Sequence, residues 1–284
     1  TTRLYIKGEV IPKPAQPVFS VEIEELAKVI KYRPFLMKEE RAILMAKAIG
    51  DDDSVRDTIE QVVQHCIVEG KNPIKVDDLP AHIVDYLFMQ MFTKSNTDRL
   101  PVTFTCTNLI TTEEEIDSVD EDGNDIKETI ERETECGHES KNHLDLKQIT
   151  IDYPEDYKER KAIKVSDKIT LNIDYPKSSS MRNYYKMNEV DEDGNFVYSQ
   201  EERERSNELL IFESVVNITE IDADGNERIS LPEKDFDVEE FISWIDELPK
   251  EVSISLAKFF QEMPQIKLKA SMHCLNSECL HKTE

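Results

Sequence analysis

The residues able to do chemistry sit in two widely separated stretches. "FTCTN" carries Cys106 and Asn108, and "ETECGHES" carries Glu135, Cys136 and His138. The segment "HCLNSECLHKTE", 273–284, carries Cys274, Asn276, Glu278, Cys279 and His281. Both places spell Cys-x-Asn followed by Glu-Cys-x-His, and in the first copy an insert separates the two halves. Zinc prefers four thiolate or imidazole ligands in a tetrahedron, commonly delivered as two turns that each present a pair. Cys274 and Cys279 have the spacing of such a turn; Cys106 and Cys136 do not. The insert between them, however, contains "SVDEDGNDIKETI", two strand-like halves around an Asp-Gly-Asn turn. A β-hairpin there would return Cys136 to the side of Cys106. The sequence therefore predicts one structural zinc held by Cys106, Cys136, Cys274 and Cys279. His138 and His281 occupy matching places and are expected in the outer shell of the site, or as alternative ligands. His273 has no upstream counterpart and reads as surface, and Cys66 lies in an apolar stripe and reads as core.

Catalytic patterns fail on spacing. A zinc hydrolase helix needs His-Glu-x-x-His. In "GHESKNH", a predicted turn, Asn142 stands where the second imidazole should be and His143 follows one residue later. No Pro-Cys-x-x-Cys follows a His-x-Glu, so the nucleobase-deaminase pattern is missing. Seven glycines leave little material for a phosphate-binding loop. Three Asp-x-Asp-Gly-Asn segments, starting at Asp120, Asp191 and Asp222, place glycine fourth rather than sixth and so miss the EF-hand ladder. They read as tight turns at hairpin tips.

The elements that must position the cysteines follow from periodicity. Residues 1–20, with Pro12, Pro14 and Pro17, read as an extended arm. Helical spacing then predicts a stripe of Leu36, Met37, Ile43, Leu44 and Ala48 closed by Gly50, and a second helix from Ser54. A third helix, near Pro80, would bury Ile83, Leu87 and Met91. Its Val84, Tyr86, Phe88 and Met89 fall off that line, so it is either central in its domain or covered by another subunit. From residue 101 the period changes to two in "VTFTCT", "LDLKQITID", "ITLNIDY" and "ESVVNITEID". Two C-terminal helices would bury Phe241, Ile242, Ile245 and Leu248, then Ile254, Leu256, Phe259 and Phe260. The fold class is α+β: a helical N-terminal domain, a β-rich middle with a four-cysteine zinc ribbon, and C-terminal helices. The expected domains are the arm 1–20, a helical domain 21–100, and a zinc-ribbon-like module of 101–150 with 265–284. An α+β middle domain, 151–264, would carry a polar excursion at 178–208.

Charge narrows the partners. With 35 basic and 60 acidic side chains the formal charge is −25, a surface that repels phosphate backbones and argues against nucleic acid as the main ligand. The chain offers no apolar run of membrane-spanning length and no signal-peptide pattern, which predicts a reducing compartment where thiols serve metals.

Three stretches, "YRPFLMKEERAILMAKAI", "VDDLPAHIVDYLFMQM" and "ITLNIDYPKSSSM", together with the order of the two cysteine pairs, resemble the baseplate hub protein family of T4-like contractile-tailed bacteriophages. The resemblance spans most of 20–284. Two features depart from the family pattern. The first cysteine pair is split by the 107–135 insert, and the return strand expected after the second pair would fall beyond Glu284. The resemblance implies a non-enzymatic structural or assembly subunit, in the virion tail baseplate or in the host cytoplasm during assembly. Its partners would be other baseplate and tail proteins, with no membrane, nucleic acid or small-molecule substrate. The competing reading is a zinc-ribbon adaptor for nucleic acid or a transcription machine. It would need basic and aromatic residues at the knuckles, where "ETECGHESKNH" and "NSECLHKTE" are mixed in charge.

Overall fold

A computed structural model of the chain describes residues 15–50, 52–68, 73–95, 99–119, 125–191, 193–277 and 279–283. In chain order the elements are strands β1 (Phe19–Ile23) and β2 (Lys28–Tyr32), then helices α1 (Met37–Ile49), α2 (Asp52–Cys66) and α3 (Ala81–Ser95). Strands β3 (Arg99–Thr105), β4 (Leu109–Val119), β5 (Asp125–Glu135), β6 (Glu139–Asp145) and β7 (Ile149–Asp152) follow. Next come β8 (Ala162–Lys164), β9 (Ile169–Ile173), α4 (Ser178–Met187), α5 (Gln200–Ser214), β10 (Val215–Ile221) and β11 (Glu227–Ser230). Helices α6 (Val238–Asp246) and α7 (Lys250–Gln261) precede β12 (Gln265–Leu268), β13 (Met272–His273) and β14 (Lys282–Thr283). The class is α+β, as the sequence indicates.

The chain divides into two compact units, one of 1–96 with 151–266 and the other of 97–150 with 267–284. The larger holds two hydrophobic clusters. The first begins where helical periodicity seemed to take over after residue 20. "FSVEI" and "KVIKY" instead form an antiparallel hairpin pairing Phe19 with Tyr32 and Ile23 with Lys28. Alternation puts Ile23, Ile30 and Tyr32 into the core. The turn between them ends on Ala27 in left-handed backbone (φ 47°) and contains no Gly, Asn or Asp to announce it. The Pro-rich stretch 1–14 lies outside the described residues.

Helix α3 is the centre of this cluster. His82, Ile83, Val84, Leu87 and Met91 are buried, and Tyr86, Phe88 and Phe92 pack against the cluster. Its breadth of apolar surface is thus covered by its own unit. Cys66, fully buried at the end of α2, is the core residue expected, and burial pushes its thiol up to about 11.

Helix α1 is rotated from the sequence expectation. Met37 and Leu44 are 68% and 66% exposed, Ala48 is exposed, and Glu39 and Ala46 are the buried residues. The cause is electrostatic. Arg33, just after β2, donates to the Glu39 carboxylate at 2.9 Å, and the Leu36 backbone N–H donates to its other oxygen at 2.9 Å. A paired carboxylate can be buried, and with Glu39 inside, Met37, Leu44 and Ala48 of the stripe face outward while Ile43 packs against the core. Gly50 ends α1 in the left-handed region, as expected (φ 78°).

The second cluster packs α5, α6 and α7 with the antiparallel sheet β11-β10-β9-β8. Leu171, Ile173, Tyr175, Phe212, Phe241, Leu256 and Phe259 are buried there, with the rings of Tyr175 and Phe259 stacked at 5.0 Å. Ile254, expected inside, is 58% exposed, and Val252 takes its place. The polar stretch 178–208 is not a long excursion, because it carries α4 and the start of α5. Ser199 and Glu202 form a reciprocal capping box that starts α5. Two of the Asp-Gly-Asn turns close alike. Asp191 accepts the N–H groups of Asp193 and Asn195, and Asp222 those of Asp224 and Asn226. The Asp222 turn is a hairpin tip joining β10 to β11; the turn at Asp120 lies outside the described residues.

The two clusters of this unit are joined by a buried polar contact. Glu25, in the first hairpin's turn, meets His82 Nε2 of α3 at 2.8 Å and accepts from Lys161 Nζ at 2.8 Å. Lys161 also reaches Asp174 at the end of β9 and lies 4.7 Å from the Tyr175 ring centre. Burial alone would raise the Glu25 carboxyl, but the hydrogen bonds from His82 and Lys161 outweigh it and hold it below its ordinary value. A depressed native pKa stabilises the fold at pH above the ordinary carboxylate value, and the contribution is lost as pH falls through the depressed one. Glu25→Gln should therefore cost about 2 kcal/mol at neutral pH, in the range of hydrogen bonds to charged groups. Urea melts should show that deficit shrinking as the pH is lowered through the acid range.

Candidate metal centre

The smaller unit contains neither of the two hydrophobic clusters, and few apolar residues in it are buried. Its strands form short antiparallel pairs: β3 with β6, β4 with β5, and β13 with β14. The β4–β5 ribbon runs in unbroken register from Leu109 opposite Glu135 to Val119 opposite Asp125. It therefore returns the chain to its starting point, as the insert predicts, and sets Cys136 beside Cys106. The backbone fixes the pair: the Cys136 N–H donates to the Asn108 carbonyl at 2.8 Å and the Gly137 N–H to the Cys106 carbonyl at 2.9 Å.

The second knuckle repeats two of the first one's bonds, while the Leu280 N–H donates to the Asn276 carbonyl where the Gly137 N–H donates to that of Cys106. The Cys106 N–H donates to the His138 carbonyl at 3.0 Å, and the Cys274 N–H to the His281 carbonyl at 2.8 Å. The Cys279 N–H donates to the Asn276 carbonyl, matching Cys136 and Asn108. Thr105 pairs with Glu139 in β3–β6, and His273 pairs with Lys282 in β13–β14. The return strand after the second cysteine pair is thus present within the chain, and "GHESKNH" leads into a strand rather than a turn. Gly137 and Leu280, each following the second cysteine of its knuckle, both adopt left-handed backbone, at φ 61° and 48°.

The two knuckles bring their sulfurs together. The Sγ atoms of Cys106, Cys136, Cys274 and Cys279 all lie within 4.8 Å of one another, an arrangement that could hold a metal ion. The short approaches run between knuckles, with Cys106 to Cys279 at 3.8 Å and Cys136 to Cys274 at 3.7 Å. The asparagines cross over as well. Asn108 Nδ2 donates to Cys279 Sγ at 3.4 Å, and Asn276 Nδ2 donates to Cys136 Sγ at 3.3 Å. Amide donors aimed at sulfur favour the thiolate, the form that binds metal. Burial would raise the Cys136 thiol, but hydrogen bonds from the His138 backbone, Asn276 and neighbouring sulfurs bring it down to about 7. At Cys106 the Asn108 backbone favours the thiolate, but burial and the Cys279 and Cys274 sulfurs outweigh it and push the thiol up to about 12. Four such sulfurs cannot all ionise at this spacing unaided, and a bound dication would supply the missing charge.

The histidines contribute backbone rather than imidazole. Their carbonyls accept the bonds that close each knuckle, and among the described residues the clustered ligand atoms are sulfur alone. One residue of the site escaped the sequence reading. Ser140, fully buried on β6, accepts the Leu275 N–H on its Oγ at 3.0 Å and so ties the second knuckle to the first one's strand. Its place directly after "CGHE" was the available signal.

A family model described as T4 bacteriophage base plate protein matches residues 16–284, and the chain belongs to that family. Neither the curated proteins nor the solved structures compared with the chain gave a match.

The matched knuckles generate an asymmetric prediction. Left-handed backbone costs a residue with a Cβ about 1 kcal/mol or more, and costs glycine almost nothing. Gly137→Ala should lower stability by about that amount, because no neighbour obstructs the added carbon and the penalty is conformational. Leu280→Gly, at a position 65% exposed, should raise stability by somewhat less, since glycine loosens the unfolded chain. Thermal melts of the two variants check the opposite signs.

Proposed function

We propose that this base plate protein is a non-enzymatic subunit of the baseplate hub, or an assembly protein for it, stapled by one structural zinc on Cys106, Cys136, Cys274 and Cys279. The observation that carries the reading is the closed sulfur set. Four thiolates fill a tetrahedral shell and leave no position for water or substrate, the arrangement of structural rather than catalytic zinc. Sulfur donors with nearby amide donors suit zinc better than calcium or magnesium, which take oxygen. Bound there, the metal supplies cross-linking and charge neutralisation.

The same geometry explains why the staple matters. Cys136 and Cys274 are 138 residues apart in sequence. Closing a loop of that size removes unfolded-state freedom worth about 5 kcal/mol if the disulfide relation is borrowed for the metal. In this reading the residues of 97–150 with 267–284 are a zinc-ribbon-like module, and its Ser140 and Asn pairs hold the ligands in place. The subunit works through surfaces, with other baseplate and tail proteins as partners. Its place is the virion tail, or the host cytoplasm while tails are assembled. Among the described residues no helix is long and apolar enough to cross a membrane.

Elemental analysis of protein purified without chelator should find close to one zinc per chain. Cys279→Ser should lose the metal, unfold the small unit and abolish phage yield. The double change His138→Ala with Glu139→Ala should leave metal content and yield near normal, because the His138 contribution is a backbone carbonyl. Folded protein with negligible zinc would overturn the staple. Equal loss of yield from the histidine pair at unchanged stability would point instead to metal-dependent chemistry.

A further inference from the structure

The larger unit carries a cavity that is aromatic inside and anionic at its mouth. It has a volume of about 320 Å³ and lies between strands β9–β11 and helix α6. Phe241, 1% exposed, forms its floor. The half-buried rings of Phe236 and Trp244 stand beside it, with centres 5.9 and 6.0 Å from that of Phe241. Three exposed carboxylates join the lining: Glu220 from β10, Asp235 from the loop before α6, and Glu240 from α6.

Local structure holds these groups in place before any ligand arrives. The loop closes on itself, with Asp235 Oδ2 accepting the Leu231 N–H at 2.8 Å and the Phe236 carbonyl accepting the Glu233 N–H at 2.9 Å. Glu240 is set by the capping box that starts α6, where one of its oxygens accepts the Asp237 N–H at 3.0 Å. Among the described residues, no lysine, arginine or histidine forms an ion pair with Glu220, Asp235 or Glu240. Arg228 stands opposite Glu220 in the β10–β11 register and Lys234 precedes Asp235, but neither lines the cavity.

Carboxylates gathered without a counter-ion repel one another, and a bound cation relieves that cost. The faces of aromatic rings attract cations as well. Calcium would need six to eight oxygen ligands, which three carboxylates around a floor of rings do not supply. The lining suits an organic cation. Volume then sets its size: small-ligand sites begin at about 300 Å³, so this cavity takes a single side chain rather than a helix. Of the two cationic side chains, arginine fits better. Its guanidinium is planar and weakly hydrated, so it can lie on a ring while its in-plane donors reach carboxylates. The same unit packs its own arginines closest to rings. Arg203 lies 3.6 Å from the Phe196 ring centre and Arg56 4.0 Å from that of Tyr185, whereas Lys161 and Lys158 stand 4.7 and 5.3 Å from theirs.

We propose that this cavity receives an arginine side chain of another protein, its guanidinium against the Phe236 and Trp244 rings and its N–H donors on Glu220, Asp235 and Glu240. Arginine and aromatic anchors carry much of the binding energy at protein interfaces. The inference deepens the reading of the chain as a subunit working through its surfaces, by naming the chemistry of one contact.

Trp244 is the only tryptophan of the chain, so its emission reports occupancy directly. Titrating the purified full chain with a capped Gly-Arg-Gly peptide should change that emission saturably in the millimolar range, with binding weakened by added salt. The matching citrulline peptide, which keeps the shape and lacks the charge, should bind about tenfold more weakly, and the lysine peptide should fall between the two. Glu220→Lys, at an exposed position, should weaken arginine binding about tenfold. Phe236→Leu should weaken it about threefold by removing one ring face. Melting temperature serves as the control for intact fold. Absence of a saturable change, equal binding of the citrulline peptide, preference for lysine, or binding unaltered by Glu220→Lys would each overturn the proposal. So would a dimer of the native chain that Glu220→Lys dissolves, since the occupant would then be a second copy. Arginine binding by a chain that never enters base plates would leave this inference standing and remove the tail-subunit reading. A failed titration with a chain that does enter them would remove this inference alone.

Discussion

The smaller unit is built around the meeting of four sulfurs. Domains of this size bury too little apolar surface to hold together on hydrophobic burial alone, and they usually add a metal or disulfides. Here both hydrophobic clusters lie in the other unit, and a two-stranded ribbon such as β4–β5 is marginal in water without further support. What organises the strands is the pair of knuckles. Each sets its two cysteines by backbone hydrogen bonds, and each lends an asparagine to a sulfur of the other. The exchange makes the site reciprocal, so neither knuckle is complete without its counterpart.

The larger unit uses charge in a different way. Its clusters are ordinary apolar packing, but two buried carboxylates decide how the pieces are oriented. Glu39 meets Arg33 and fixes the rotation of α1; Glu25 meets His82 and Lys161 and joins one cluster to the other. Burying an ion pair is a poor source of net stability, and its common benefit is to select one arrangement over its neighbours. That is the effect here. Met37 and Leu44, which an apolar stripe would bury, are held outside.

These features differ in how far the sequence discloses them. The cysteine frame was legible because the chemistry is local and repeated: Cys-x-Asn and Glu-Cys-x-His occur twice, and the sequence Asp-Gly-Asn between Val119 and Asp125 announces the hairpin that β4 and β5 form. Helix α3 and the buried Cys66 were legible from periodicity. Hairpin β1–β2 was not, because its turn has Ala27 where Gly or Asn would signal it. The rotation of α1 was not, because an apolar stripe reads as core unless the Arg33 that captures Glu39 is already in view. Ser199 and Glu202 did spell a helix start, and the polarity of the surrounding stretch hid it. The role of Ser140 lies beyond any local rule, since its partner Leu275 is 135 residues away.

The order of the halves along the chain sets a timetable for the site. Everything in the larger unit up to Ile266 is synthesised before the second knuckle exists. At translation rates of roughly 5–20 residues per second, the 138 residues from Cys136 to Cys274 take about 7–28 s to appear. Through that interval Cys106 and Cys136 are a pair of thiols without their counterparts, while residues 151–266 of the larger unit are still being made. Assembly of the four-sulfur cluster is therefore a late event, limited by the arrival of Cys274 and Cys279.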